Sequence, residues 1–160
     1  MYERLRREKD HVTWDTIIWN IFNVPKHRFI LRFVIQEKMQ TTKKLAKIGI
    51  SSTDHCLICD AEPESHIHLF FQRRYSTECL KAIKSWLLGM SSASTSLSSL
   101  IRWLRNSRHS KFKKHVLAAG IAIVMYGIWH SRNNSYWKKC IPSIDTSVNQ
   151  MKSIVIRSTK

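Results

Sequence analysis

The stretch that decides the fold is HCLICDAEPESHIHLFFQRRYS, residues 55–76, which brings two cysteines and three histidines together in one short run. Cys56 and Cys59 are separated by two residues, and two thiolates at this spacing in a turn can point at one zinc ion about 2.3 Å from each sulfur. His68 follows inside HIHLFF, where a hairpin-like return would bring its imidazole back to the pair. The spacing predicts a zinc site formed by Cys56, Cys59 and His68.

Two other interpretations of the cysteine pair stay open. The first is a pair of buried thiols beside an exposed histidine, with no metal. The second is a thioredoxin-like redox motif, which requires a βαβ context and a cysteine at a helix start. Neither feature is evident around Cys56 and Cys59, so the sequence favours the metal site over the redox motif.

The charge balance indicates an anionic partner. The chain of 160 residues has 27 lysines and arginines against 11 acidic residues, a net charge of +16. Such a surface attracts polyanions, because each cation placed against a phosphate releases a condensed counterion. We therefore expect RNA or DNA as the partner, with no membrane and no small-molecule substrate. No signal peptide is recognised in MYERLRREKDH, so we expect an intracellular location, in the nucleus or cytoplasm.

Hydrophobic periodicity predicts a mainly α fold: a small helical domain with a zinc-knuckle-like loop insertion and a long C-terminal apolar helix. Phe29, Phe33 and Trp86 are expected to face inward, and HIHLFF is predicted to form a short strand. The longest apolar run, residues 116–129, is shorter than the roughly 20 residues that span a bilayer, which favours a buried core helix. The predicted helices cover residues 13–22, 25–40, 43–50, 76–88, 100–108, 111–137 and 144–156.

The serine-rich run SSASTSLSS, residues 91–99, is typical of a linker. It predicts a division of the chain into a zinc-binding domain over residues 13–90 and a helical C-terminal region over residues 100–160.

Four segments carry a family resemblance when they are taken in order. They are PKHRFILRFVIQEKMQTTKKLAKIGI, then CLIC, then ESHIHLFF and, much later, VMYGIWHSRNN. This order resembles the zinc-binding domain found downstream of the reverse transcriptase in plant LINE-type (non-LTR) retrotransposons. The resemblance implies a small, mostly helical module with one zinc ion and an accessory role beside retroelement proteins.

The resemblance also implies a ligand set, and the chain departs from it at one position. Cys56, Cys59 and His68 match the first three ligands of the family, whereas the fourth falls at Arg73. A guanidinium stays protonated and has no lone pair for a metal, so zinc binding is expected to be weakened. His66 could complete the site, Cys79 could reach back from the next helix, or water could fill the gap; the remaining alternative is loss of useful zinc binding.

Basic residues of the predicted helices are candidates for phosphate contact. Arg102 and Arg105 share one helix face, and such a stripe can follow phosphates without reading sequence. The candidate nucleic-acid residues are Arg73, Arg74, Arg102, Arg105, Lys111, Lys113 and Lys114.

No pattern in the chain predicts catalysis. Asp60, Glu62 and Glu64 are interpreted as exposed loop acids, and no polymerase-type aspartate doublet, Ser/His/Asp set or phosphate loop is recognised. We expect a non-catalytic, zinc-binding and nucleic-acid-binding accessory module, with polymerase chemistry absent from this chain. The alternatives are a structural or protein-interaction domain and a decayed retroelement fragment.

Overall fold

A computed structural model of the chain describes residues 14–19, 22–89 and 96–159. These residues form seven α-helices, joined by loops and one π-helical turn, His68–Gln72, which precedes α4. The mainly α prediction is confirmed. The helices are α1 (Asp15–Ile18), α2 (Pro25–Ile35), α3 (Thr42–Lys47), α4 (Arg74–Leu88), α5 (Leu97–Asn106), α6 (Lys111–Lys138) and α7 (Ile144–Ser158).

Side-chain caps and left-handed residues set several helix ends. Thr41 caps α3 by accepting a hydrogen bond from the Lys44 backbone N–H, as its residue type predicts. Gly49 follows α3 and Gly89 ends α4, both at positive φ, where glycine avoids the steric penalty of a Cβ. Serines cap the N-termini of the last three helices: Ser96 on α5, Ser110 on α6 and Ser143 on α7.

Helix α6 is the centre of the molecule. It packs against α1, α2, α4, α5, α7 and the π turn, and its small and branched residues, such as Ala122 and Ile128, are fully buried. By length and composition α6 is also apolar enough to cross a membrane, which is weak evidence because a core helix passes the same test. The prediction that residues 116–129 form a buried core helix fits the packing seen here.

One apolar cluster runs through both predicted halves of the chain. Residues of α2, the π turn and α4 share it with residues of α5, α6 and α7. The hydroxyl of Tyr75 in α4 also lies 2.9 Å from Ser131 Oγ in α6 and 2.6 Å from Ser147 Oγ in α7. The metal-site region and the C-terminal helices are therefore packed as neighbours.

The predicted linker is only partly within the described residues. Positions 91–95 lie outside them, whereas residues 97–99 form the first turn of α5. The division into two domains remains a prediction. The predicted helix over residues 13–22 is described as the single turn of α1, and residues 13, 20 and 21 fall outside the description.

Several local expectations were wrong. Residues 66–71 are helical rather than extended, and α2 ends at Ile35 instead of residue 40, with Glu37 in the left-handed region at φ 52°. Phe29 is 61% exposed and Trp86 39% exposed, because Leu31, Val34 and His27 form the buried face of α2 and Leu80 and Ile83 lie on that of α4. Periodicity alone did not fix the rotation of either helix.

Candidate metal centre

The loop after α3 folds back on itself around the cysteine pair. His55 pairs with Pro63 in an isolated antiparallel bridge, and the Cys56 backbone N–H donates to the Glu62 carbonyl at 2.8 Å. The Asp60 N–H donates to the Cys56 carbonyl, also at 2.8 Å, which closes a tight turn over Cys59. Asp60 takes φ 51°, a conformation that aspartate tolerates better than most residues. These bonds hold the two thiols on one side of the loop.

The π turn supplies the third ligand atom. The His68 backbone N–H donates to Ser65 Oγ at 3.0 Å, and the Arg73 N–H closes the turn on the His68 carbonyl at 2.9 Å. This wide turn aims the imidazole back at the loop, so that His68 Nε2 lies 3.2 Å from Cys59 Sγ. A π turn often marks a functional site in a helical protein, because the inserted residue redirects a side chain.

Three potential ligand atoms converge in this region, one each from Cys56, Cys59 and His68, and all lie within 4.8 Å of one another. A tetrahedral zinc ion with bonds of about 2.3 Å to sulfur and about 2.0 Å to nitrogen holds its ligand atoms about 3.5–3.8 Å apart. The observed separations, 3.2 Å for Cys59 Sγ to His68 Nε2 and no more than 4.8 Å for any pair, fit such an ion after small side-chain movements. The residues can therefore hold a metal, and the set of two sulfurs and one imidazole suits zinc.

The environment favours the neutral, ligating form of the histidine. Burial, followed by the positive charge of Arg73, lowers the pKa of His68, although Glu62 and Glu64 raise it in part. A neutral imidazole offers the lone pair that a metal needs. We therefore expect protons to compete less with a metal for this nitrogen near neutral pH. Cys56 is fully buried and Cys59 is exposed, which leaves one side of the cluster open to solvent.

Arg73 stands on the remaining side of the cluster. Its side chain is 2% exposed, with Nη1 donating to Cys56 Sγ at 3.8 Å and Nη2 donating to Ser76 Oγ at 3.2 Å. Its Nε has no hydrogen-bond partner within the described part of the chain, and its guanidinium carbon lies 5.5 Å from the centre of the Tyr75 ring. A buried cation is therefore present at the position where the resemblance implies a fourth metal ligand.

Neither predicted replacement ligand joins the cluster. His66 packs against Phe70 with ring centroids 5.0 Å apart and lines a cavity beside α2. In a helical turn, residues two positions apart point to nearly opposite sides, whereas an extended strand would have put His66 and His68 on one face. Cys79 is buried in α4, and that burial raises the pKa of its thiol to about 11.

A buried ion pair beside the cluster was missed by sequence reasoning. Glu64 was expected to be an exposed loop acid, yet it is 0% exposed and bonded to Arg132 of α6, with Arg132 Nη2 2.9 Å from Glu64 Oε1. The same oxygen accepts the Thr42 backbone N–H at 2.9 Å, and Thr42 Oγ1 donates to the His55 carbonyl at 2.9 Å. These hydrogen bonds connect the loop to the first residue of α3 and to α6.

One sequence signal could have revealed this network. Arg132 lies three residues after the apolar run of α6, and a charge on a helix that is apolar on most sides calls for a buried partner. Its guanidinium also lies over the rings of Trp129 and Tyr136, at 5.1 and 5.4 Å from their centres.

The seven basic candidates differ in exposure: one is buried, one is half-buried and five are exposed. Arg73 is buried against Cys56, so it is not available to a polyanion at the surface, which corrects its inclusion among them. Lys114 is half-buried and donates to the Arg105 carbonyl at 2.9 Å. The exposed members are Arg74, Arg102, Arg105, Lys111 and Lys113.

The fold and the three-atom cluster together define a mainly helical module with a site that could hold a metal ion. A family model described as zinc-binding in reverse transcriptase matches residues 1–79, which include Cys56, Cys59, His68 and position 73. The match covers just under half of the chain, so this segment is similar to that family of accessory zinc-binding domains, which are not catalytic. Comparisons with curated proteins and with solved structures gave no significant match.

Proposed function

We propose that the chain is a non-catalytic, zinc-supported, nucleic-acid-binding accessory module of the kind associated with a retrotransposon reverse transcriptase. The convergence of Cys56, Cys59 and His68 within the family-matched segment is the observation that carries this proposal. The sequence resemblance extends it to the plant LINE type, through segments of both halves of the chain.

In this role the metal would be structural. Bound zinc would crosslink the loop at Cys56 and Cys59 to the π turn at His68. The loop and the turn also contact α6 through Glu64 and through the packing of the turn itself. Metal binding would therefore fix the position of the basic helices that follow in the chain.

The charge distribution supports a polyanionic partner. The net charge of +16 is carried in part by exposed cations on α4, α5 and α6. The ion pairs seen between described residues include none of the exposed candidates, which are Arg74, Arg102, Arg105, Lys111 and Lys113. Contacts of this type position a protein on a phosphate backbone without reading bases. RNA and DNA are both compatible with this chemistry.

Salt dependence tests the nucleic-acid role. Binding of labelled single-stranded RNA and DNA should weaken steeply as salt rises, with the logarithm of the association constant falling by about 0.7 per phosphate contact for each unit of log salt. Replacing Lys111 and Lys113 with alanine should reduce that slope. Binding that does not change between low and moderate salt would contradict the proposal.

A protein-interaction role is the second candidate, favoured by exposed aromatic side chains. Trp19, Phe29 and Trp137 are 62%, 61% and 77% exposed, and aromatic residues are enriched in protein interfaces. Competition separates the two roles. Polynucleotide should release the nucleic-acid module from a cation exchanger at low concentration, whereas it should leave a complex held by aromatic contacts intact. Failure of both assays, together with failure to bind metal, would indicate a decayed retroelement copy.

A further inference from the structure

A cavity of about 480 Å³ lies between α2, the π turn and the start of α5, away from the three ligand atoms. Small-molecule and cofactor sites in proteins have volumes of about 300–1,000 Å³, so this cavity has the size of a binding site. Its floor is apolar and includes the buried side chains of Val34, Phe71 and Ile101.

The rim of the cavity is cationic. Arg102 and Arg105 stand one turn apart on α5, both exposed, and neither guanidinium forms an ion pair with any described residue. Glu37 is the one carboxylate among the described lining residues, which therefore carry a net positive charge. Two arginines at this spacing can both donate to one phosphate group.

Two further groups in the wall suit a nucleobase. Trp14 is half-buried at the edge of the cavity, and an indole ring offers a stacking surface for a base. His66 also lines the cavity, and its buried Nε2 has no hydrogen-bond partner among the residues that the structure describes. A buried polar atom of this kind is stabilised by a ligand that can hydrogen-bond with it, which a base can do and an acyl chain cannot.

We propose that this cavity holds one unpaired nucleotide of a single-stranded nucleic acid, with its base on the apolar floor between Trp14 and His66 and its phosphate at Arg102 and Arg105. The inference rests on the proposed nucleic-acid role and makes it more specific. It assigns part of the affinity to a defined cavity rather than to the diffuse positive charge of the surface.

Mononucleotide binding is the direct test. Adenosine 5′-monophosphate, the smallest probe with a base and a phosphate, should bind the wild-type chain in equilibrium dialysis. The double variant Arg102→Ala/Arg105→Ala should bind it at least about tenfold more weakly, because it loses charge-assisted hydrogen bonds to the phosphate, which are stronger than hydrogen bonds between neutral groups. The control variant Lys47→Ala/Arg108→Ala changes the net charge equally at exposed positions outside the cavity, and should bind almost as tightly as wild type.

A second pair of variants separates the cavity from charge. Ser98 is exposed on the cavity wall, so Ser98→Trp should fill the space and abolish mononucleotide binding with no change in charge. Ser99→Trp adds the same ring one residue away, outside the lining, and should leave binding intact. Circular dichroism and thermal unfolding would establish that each variant is folded.

The outcomes separate this inference from the proposed function. A wild type that binds oligonucleotide in a salt-dependent way but does not bind the mononucleotide would overturn the cavity site and leave the general role standing. Equal mononucleotide affinities for Ser98→Trp and Ser99→Trp would overturn it as well. Mononucleotide binding without any oligonucleotide binding would instead overturn the proposed function and leave the cavity as a nucleotide site.

Discussion

Position 73 carries a guanidinium where the resemblance implies a fourth ligand, and the difference changes the charge of the site. Zinc with two thiolates and one neutral imidazole is uncharged overall, so a fourth thiolate would make the centre negative, whereas Arg73 adds a positive charge 3.8 Å from Cys56 Sγ. The guanidinium can stabilise a thiolate by hydrogen bonding, but its charge also repels the metal. We expect weaker zinc binding than a four-ligand site would give.

Arg73→Cys should restore the missing ligand. Changes to groups that only support a ligand alter metal affinity by about 10–100-fold, so the gain from a direct ligand should be at least about tenfold. Competition with a chromophoric chelator would measure it, and the cobalt-substituted protein should show stronger sulfur-to-metal charge transfer. Arg74→Cys is the matched control, because it adds an exposed thiol on the neighbouring residue. Equal affinities for the two variants would contradict a fourth-ligand role for position 73.

His27 predicts a dependence of stability on pH. Burial and then the charge of Lys26 lower its pKa from 6.5 to about 4, so the folded protein keeps this ring neutral. The unfolded chain takes up a proton below about pH 6.5 and the folded chain does not until about pH 4. As the pH falls from about 6.5 to about 4, the stability contributed by this group is therefore lost, on the order of 3 kcal/mol.

Substitution of His27 by leucine tests that dependence. Neither ring nitrogen has a hydrogen-bond partner among the described residues, so His27→Leu leaves no polar group stranded. Urea unfolding should show similar stabilities at pH 7.5 and a variant more stable than wild type at pH 4.5. Both proteins contain the same metal cluster, so their difference isolates the histidine. An equal loss of unfolding free energy from pH 7.5 to pH 4.5 in wild type and in His27→Leu would contradict the prediction.

Among the elements, the loop is joined to α6 by the buried Glu64–Arg132 ion pair and by a 3.4 Å hydrogen bond from Ser135 Oγ to the Leu57 carbonyl. Glu64→Leu would leave the Arg132 guanidinium buried without its partner and should lower the free energy of unfolding by about 3–5 kcal/mol. The double variant Glu64→Leu/Arg132→Met should recover part of that loss, because it removes both charges but leaves the Thr42 N–H without its acceptor. Denaturant unfolding at constant zinc would measure both changes.

The exposed pair on α4 is the control for the buried one. Glu78 and Lys81 are 3.0 Å apart with side chains 43% and 41% exposed, and such pairs contribute about 0–1 kcal/mol. Glu78→Leu should therefore change stability little. A Glu64→Leu variant as stable as Glu78→Leu would show that the buried pair does not hold the loop on α6.

For the whole molecule, the shared core predicts that the zinc-binding segment depends on the helices that follow it. Helices α2 and α4 bury their apolar faces on α6 and α7. A fragment of residues 13–90 should therefore show helical circular dichroism without a cooperative unfolding transition, even with zinc, because a small core alone supplies little stability. A cooperative transition in the fragment, comparable with that of the full chain, would contradict this expectation and support an independent domain.

Much of the helix content and three members of the metal cluster could be predicted from the sequence. Pro25, Thr41, Gly49 and Gly89 are local signals, and the structure places each at the helix end that its chemistry favours. The Cys56–Cys59 spacing is local too. Short-range chemistry of this kind can be recognised in a single chain.

The remaining features depend on tertiary contacts. Whether residues 66–71 form a strand or a helix depends on the burial of Leu69 and Phe70 in the core, and the burial of Glu64 depends on Arg132, 68 residues away in sequence. The position of the Arg73 guanidinium likewise follows from Cys56 and Ser76 around it. Periodicity does not carry this information.

The most direct test is the zinc content of the purified chain, measured by elemental analysis and by native mass spectrometry. We predict about one zinc per chain, lost in Cys59→Ser and kept in Cys140→Ser, since both cysteines are exposed but only Cys59 lies in the cluster. A folded wild type without zinc after refolding in the presence of the metal, or a Cys59→Ser variant that keeps its zinc, would contradict the account.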